Sequence, residues 1–336
     1  MTALFVLIVA AAAILCALLI LALRPLLVRY ALARPNARSS HREPTPQGGG
    51  IAVFAAIAIV LAAAAVLNPG LFSDLPRLAV VFAAILGLAV VGATDDVRPM
   101  EAVPRLLLQA GAALVVMAAL PAEVRIFPDL LPWWFERALM VIGILWFVNL
   151  VNFMDGIDWI VVAEVVPVSV ALIAIGIMGG LPGDATLVAL ALLGAIAGFA
   201  LFNRPVARLF LGDVGSLPLG LLLAWLLILV AGGGHIIAAI LLPLVFIADT
   251  TITLLRRTIA GESIMQAHRS HFYQRATDGG FTVTQIVARV FAVNIVLALL
   301  ALSTLWIAWR AAHLGVLAAG FVLVGALLWS FARGRR

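Results

Sequence analysis

Carboxylates and carboxamides gather at three places in an otherwise apolar chain. They are Thr94-Asp95-Asp96, the stretch from Asn149 to Asp158, and Gly212-Asp213-Val214-Gly215-Ser216. Each cluster stands at one end of a hydrophobic run. Ionised carboxylates beside a bilayer are costly without a counter-charge, so a set of them on one face requires a cation or a ligand that brings one. A divalent metal holding a phosphorylated ligand meets that requirement, because hard cations take oxygen ligands and share them with phosphates.

Each cluster has a chemical reading and a plainer one. Asp95 and Asp96 are a general base or a metal-organising pair, or else a hydrated helix end answering Arg98 and Arg105. Asn149, Asn152, Asp155 and Asp158 recur every three residues, which on a helix keeps them along one side as a ligand-binding wall. In the third cluster the glycines let backbone approach a ligand, and a helix starting there offers free N–H groups to an anion. Asp213 then holds Mg²⁺ against the phosphates; the plain alternative is an N-cap made by Asp213 itself. His268-Arg269-Ser270-His271, with Arg275, would bring cations to a diphosphate. Asp249 either pairs with Arg256 or Arg257 or joins this site. Glu164, inside an apolar run, is a functional suspect by position and matches no motif. His235 and His313 read as interfacial residues.

The elements that must position these groups are membrane helices. Hydrophobic residues make up 65% of the 336 and charged ones 11%, which excludes a water-soluble core. A bilayer core of ~30 Å needs about 20 helical residues. Hydropathy and helix breakers give eleven such runs: 3–23, 49–67, 76–93, 104–120, 137–152, 159–178, 185–203, 214–231, 235–255, 286–308 and 313–331. The first is a retained helix, lacking the basic start and small-residue cleavage site of a signal peptide. There is no lysine, and with the amino terminus outside, 17 of the 21 arginines fall on the cytoplasmic side. Only Arg77, Arg125, Arg137 and Arg310 fall on the other. The net charge of +5 thus follows topology, and no nucleic-acid partner is implied. Outer loop 122–136 reads as an aromatic anchor through Trp133 and Trp134. Cys16 is the only cysteine, so disulfides and thiolate metal sites are excluded. The expected fold is all-α: one integral membrane domain over 1–336, about 11 spans, an active site on the cytoplasmic face, and a substrate loop over 256–285.

Taken together, the motifs resemble the polyprenyl-phosphate N-acetylhexosamine-1-phosphate transferase family (glycosyltransferase family 4). The matching pieces are Pro44 to Gly49, Asp95-Asp96, Asn152 to Asp158, Asn203, Phe210 to Ser216 and His268 to His271, in the family's order. The resemblance implies that polyprenyl phosphate attacks a UDP-N-acetyl sugar, forming polyprenyl-diphosphate-sugar and releasing UMP. It implies Mg²⁺ (or Mn²⁺) on Asp213, and Asp95 or Asp96 readying the lipid phosphate. Asn152, Asp155, Asp158 and Asn203 would form the nucleotide-sugar wall, with Phe210 stacked on uracil and His271 near the diphosphate. His268 and Arg269 would also meet substrate, and His41 or Arg42 would replace a lysine that family members often carry in the first cytoplasmic loop. The muramoyl-pentapeptide enzymes have consecutive histidines where this chain reads His268-Arg269-Ser270-His271. That difference favours a smaller sugar, as used by O-antigen and common-antigen initiating enzymes of the bacterial inner membrane. A muramoyl-type transferase is the alternative; a lipid-linked sugar transporter ranks lower, since its charges belong near the midplane. A homodimer is left open.

Overall fold

The computed structural model describes residues 2–33, 44–263 and 268–335. His41 and Arg42 lie outside the described residues. Long apolar runs become helices because only a helix satisfies its own backbone within hydrocarbon. In chain order these are α1 (Thr2–Tyr30), α2 (Gly49–Leu67), α3 (Leu75–Val97), α4 (Ala102–Ala119), α5 (Trp133–Met154), α6 (Ile160–Ile177) and α7 (Gly183–Ala200). They continue with α8 (Asp213–Val230), α9 (Ile236–Leu241), α10 (Leu244–Ile259), α11 (Phe272–Asp278), α12 (Val283–Ser303) and α13 (Arg310–Arg333). Among the described residues sheet is confined to one antiparallel pair, Leu32–Ala33 with Thr45–Pro46.

Ten helical stretches among the described residues are long and apolar enough to cross a membrane, with α8 and α9 joined as one of them. The chain reverses between those two. Gly234 takes φ 91° in the turn Ala231–His235, and Gly232 abuts Val124 at the end far from Asp213. Asp249 of α10 lies back at the near end, where it accepts from the backbone of Phe272 and Tyr273. Tyr273 in turn donates to Phe153 O at 3.0 Å, at the end of α5. α9 and α10 in series, interrupted at Pro243, therefore make a separate traverse. Added to the ten, it makes eleven traverses of the bundle among the described residues, the number expected from hydropathy.

The bundle is built around α8, which is buried along nearly its whole length against α2, α3 and α5. At another seam, Gly194 and Gly198 of α7 face α1 one turn apart. A methyl group on them would sit 2.2 Å from Val9 O and 2.4 Å from Ala13 O. Small residues at this spacing let two backbones meet where lipid supplies no hydrophobic driving force.

Two polar features inside the bundle have structural explanations. Pro167 lacks the N–H that Ala163 O would receive in α6. Asn294 of α12 supplies the missing donor at 3.0 Å and also binds Glu164 Oε2 at 2.6 Å. Glu164 therefore belongs to the buried seam between α6 and α12. At the far end, Glu136 is 2% exposed and accepts from Arg125 Nε and from the N–H groups of Ile126 and Phe127. Neighbouring Arg137 donates to Pro121 O and Val124 O. The 122–136 stretch is thus a folded cap pinned to α5, beyond the aromatic anchor read from its tryptophans. Glu136→Ala leaves the partly buried Arg125 without its carboxylate and the N–H groups of Ile126 and Phe127 without an acceptor, an effect of about 3–5 kcal/mol for a buried pair. A clear fall in thermal unfolding temperature in detergent is the expected result, and an unchanged one would show that water already serves Arg125.

Candidate active site

The first turn of α8 is where the separated motifs meet. Gly92 of α3 and Gly50 of α2 lie directly against it: a methyl at Gly92 would be 2.2 Å from Asp213 O, and one at Gly50 2.1 Å from Gly215 Cα. No larger residue fits without moving α8. The strand segment before α2 runs alongside, with Phe210 N donating to Pro46 O at 2.9 Å and Gly49 N to Phe210 O at 2.9 Å.

Four first-turn N–H groups of a helix need partners, and here Asp96 serves two of them. Its Oδ1 accepts from Asp213 N at 2.9 Å and its Oδ2 from Val214 N at 3.0 Å. The helix cap therefore comes from α3, not from Asp213, which makes no capping bond with its side chain. That leaves the Asp213 carboxylate facing outward, 30% exposed, with Asn152 Nδ2 on Oδ1 at 2.8 Å. Asn152 also donates to Ser216 Oγ at 2.8 Å, which fixes the amide across the first turn.

Asp95 and Asp96, adjacent in sequence, point to different partners. Asp95 is buried and accepts from Arg105 Nη1 at 2.7 Å and from Met100 N at 2.6 Å. Arg105 Nη1 is also 3.9 Å from Asp213 Oδ2, so one guanidinium spans the two carboxylates. The sequence showed Arg105 only as a counter-charge for a helix end. Its place one turn into α4, a short loop after Asp95, was the signal for a larger part.

A cavity of about 180 Å³ opens beside Asp213, lined by Asp96, Asn152, Asp155, Asp158 and Phe210 among others. Asp155 keeps some surface at its mouth. Desolvation by the surrounding helices nevertheless pushes the carboxyl up to about 8, reinforced by the charges of Asp213, Asp96 and Asp158. Ionisation of this carboxyl is disfavoured beside the other acidic groups, and a bound cation would reverse that. Among the described residues no group of three or more acidic, histidine or cysteine side chains stands at metal-binding spacing. Mg²⁺ does not need one: it takes one or two carboxylates and fills its octahedron with water and substrate oxygens. Asp213 and Asp155 fit that demand, since both oxygens of Asp96 are occupied by α8.

Several expected site residues also make bonds that hold the scaffold together. α5 ends at Met154 with Asp155 as its cap residue, so Asn149, Asn152, Asp155 and Asp158 do not form one helical stripe. Asn149 faces α4 and donates to Gln109 Oε1 at 2.7 Å. Asp158 Oδ2 accepts from Ala207 N at 3.0 Å. Asn203 lines the cavity, but its amide accepts from Trp159 N at 2.8 Å and donates to Leu209 O at 3.0 Å, tying two loops together. Arg269 pairs with Asp278 at 3.2 Å and Thr277 at 2.9 Å along α11. His268 stacks on His271 with ring centroids 5.0 Å apart. His271 is 2% exposed and lies 6.2 Å from the Phe153 ring, next in sequence to Asn152. Asp249 bonds His271 and no arginine in the described residues.

Residues 78–232, which carry α3 through α8 and hence most of this site, match Glycosyl transferase family 4. That match spans a little under half of the chain. The chain is 26% identical over 310 residues to a probable undecaprenyl-phosphate N-acetylglucosaminyl 1-phosphate transferase of Bacillus subtilis (strain 168), covering 86% of this chain and 84% of the relative. It is also 26% identical over 304 residues to the decaprenyl-phosphate N-acetylglucosaminephosphotransferase of Mycolicibacterium smegmatis, covering 80% and 74%. The Mycobacterium tuberculosis (strain ATCC 25618 / H37Rv) protein of the same name is 26% identical over 295 residues, 78% of this chain and 72% of its own. Family and architecture together make this a multi-pass membrane enzyme of the phosphosugar transferase type.

Proposed function

We propose that the protein transfers N-acetylhexosamine-1-phosphate from a UDP-sugar to polyprenyl phosphate at the cytoplasmic face of a bacterial inner membrane. The product is the first lipid-linked sugar of a surface polysaccharide. The observation that carries this reading is the Asp213 cavity: an outward carboxylate, an amide that fixes it and further acidic groups, all at one end of the bundle. The relatives' names supply the acceptor class and favour N-acetylglucosamine over a muramoyl peptide.

Transfer requires an oxygen of the lipid phosphate to attack the sugar-bearing phosphorus of the donor. The bond from that phosphorus to the bridging oxygen breaks, and UMP leaves with the bridging oxygen. The acceptor phosphate is already largely ionised at neutral pH, so the demand is for positioning and charge neutralisation. Mg²⁺ on Asp213 would neutralise the diphosphate when bound. Arg105 offsets part of the charge of Asp95 and Asp213, and a bound cation would offset more of it. An apolar groove of about 310 Å³ suits the isoprenoid tail; Ile144 and Phe147 of α5, Leu227 of α8 and Ile247 of α10 line it. It reaches Ile126, Phe127 and Leu131 of the far cap, and on α10 its last lining residue is Ile247.

Purified protein supplied with undecaprenyl phosphate, Mg²⁺ and a panel of UDP-N-acetyl sugars should release UMP in step with a lipid of matching mass. A transporter would release none. Phe210, partly exposed at the cavity, is the stacking surface for uracil in this reading. Phe210→Ala should weaken UMP and whole-donor binding alike, by about 1 kcal/mol or somewhat more, the scale of one base-aromatic stack. Unchanged UMP affinity in calorimetry would return Phe210 to a packing role.

A further inference from the structure

Asp249 is 1% exposed, and a buried carboxylate is costly unless its oxygens are satisfied. Here they are oversupplied. Oδ1 meets His271 Nδ1 at 3.1 Å, Phe272 N at 3.0 Å and Thr253 Oγ1 at 3.3 Å, and Oδ2 accepts from Tyr273 N at 3.0 Å. The geometry points to Asp249 as the positioning residue for His271 in sugar-phosphate transfer. The inference rests on the transferase reading and on His271 acting at the donor's phosphates.

An ionised carboxylate can only accept, so the proton in this pair sits on His271 Nδ1. Nε2 is then the nitrogen turned to other work, whatever the charge of the ring. The ring is held between His268, 5.0 Å away, and Tyr273, 5.8 Å away, with Phe153 at 6.2 Å. It therefore has one orientation, beside the end of α5 that supplies Asn152. The same carboxylate caps α11, and that cap aims the Tyr273 hydroxyl at Phe153 O. Asp249 thus fixes His271 and the start of the 155–158 loop by one set of bonds. A helix cap alone would need the two backbone N–H groups and no imidazole.

The test uses the full-length protein in detergent with undecaprenyl phosphate, Mg²⁺ and UDP-N-acetylglucosamine. Asp249→Asn should lower kcat about tenfold or more, as loss of a partner that orients a functional histidine commonly does, with donor KM changed far less. In a His271→Gln background the same change should cost little further, because both act through one imidazole. Losses that multiply, or an unchanged kcat in folded Asp249→Asn, would overturn the assignment. A histidine ¹⁵N spectrum at a pH where the ring is neutral should show His271 protonated on Nδ1. Protonation on Nε2 would overturn the pairing whatever the activity. That spectrum needs only the unaltered chain, so the pairing remains testable if Asp249→Asn does not fold. Full turnover in His271→Gln, with the expected spectrum, would instead remove His271 from the reaction and leave the pairing standing.

Discussion

Asp213→Ala is expected to abolish turnover in a protein that still folds. The residue opens α8 without capping it, since Asp96 supplies that bond, and the partners of its side chain, Asn152 and Arg105, are polar. Alanine is the best helix former, so α8 should start where it does now. What disappears is the outward carboxylate that Asn152 orients and Arg105 faces. Asp213→Asn keeps the shape and removes the charge, and it should be almost as damaging. Removing one preorganised electrostatic group from an active site costs about 10²–10³-fold, and a lost metal ligand at least as much. Chelation should silence the unaltered enzyme reversibly, with Mg²⁺ restoring it, while the variants respond to neither treatment. Near-normal Mg²⁺-dependent turnover in either variant, at unchanged unfolding temperature, would reduce Asp213 to a surface charge.

The sequence made the spans and the meeting of the motifs legible, because hydropathy and arginine placement are local signals summed over long runs. Gly212-Asp213 marked the start of α8 for the same reason. Side-chain partners set by distant segments were not legible. The three-residue spacing from Asn149 to Asp158 read as one helical face, yet α5 stops at Met154. Phe153 O, one of the last carbonyls, is taken by Tyr273 Oη, 120 residues along the chain. No local pattern announces such a partner. Asn203 matched a family motif but spends its amide on Trp159 and Leu209, a use visible only once the two loops are side by side. Asp249 left two readings open because its partner, His271, arrives with α11 and not with the neighbouring arginines on α10. The plain capping role imagined for Asp213 exists, but Asp96 fills it.

That exchange of roles makes Asp96 the second sensitive position. Its carboxylate receives the N–H groups of Asp213 and Val214 at the positive end of α8, a charge-assisted cap shared between two helices. In Asp96→Asn one oxygen still accepts, but the amide NH₂ opposes the other N–H, so the first turn must shift or lose a bond. Loss of a cap costs about 0.5–2 kcal/mol of stability. The larger effect should be on rate: Asp213 is the residue displaced, and a misplacement of about 1 Å can cost 10²-fold. The prediction is therefore a kcat reduced about a hundredfold together with a lower unfolding temperature. A general base acting on the lipid phosphate would behave differently. Its loss would leave stability alone, and the deficit would shrink as pH rises past the second ionisation of a phosphate monoester, at about 6. A pH–rate profile of Asp96→Asn running parallel to that of the unaltered enzyme supports the cap. A deficit confined to acid pH, with stability intact, would give Asp96 back to the chemistry.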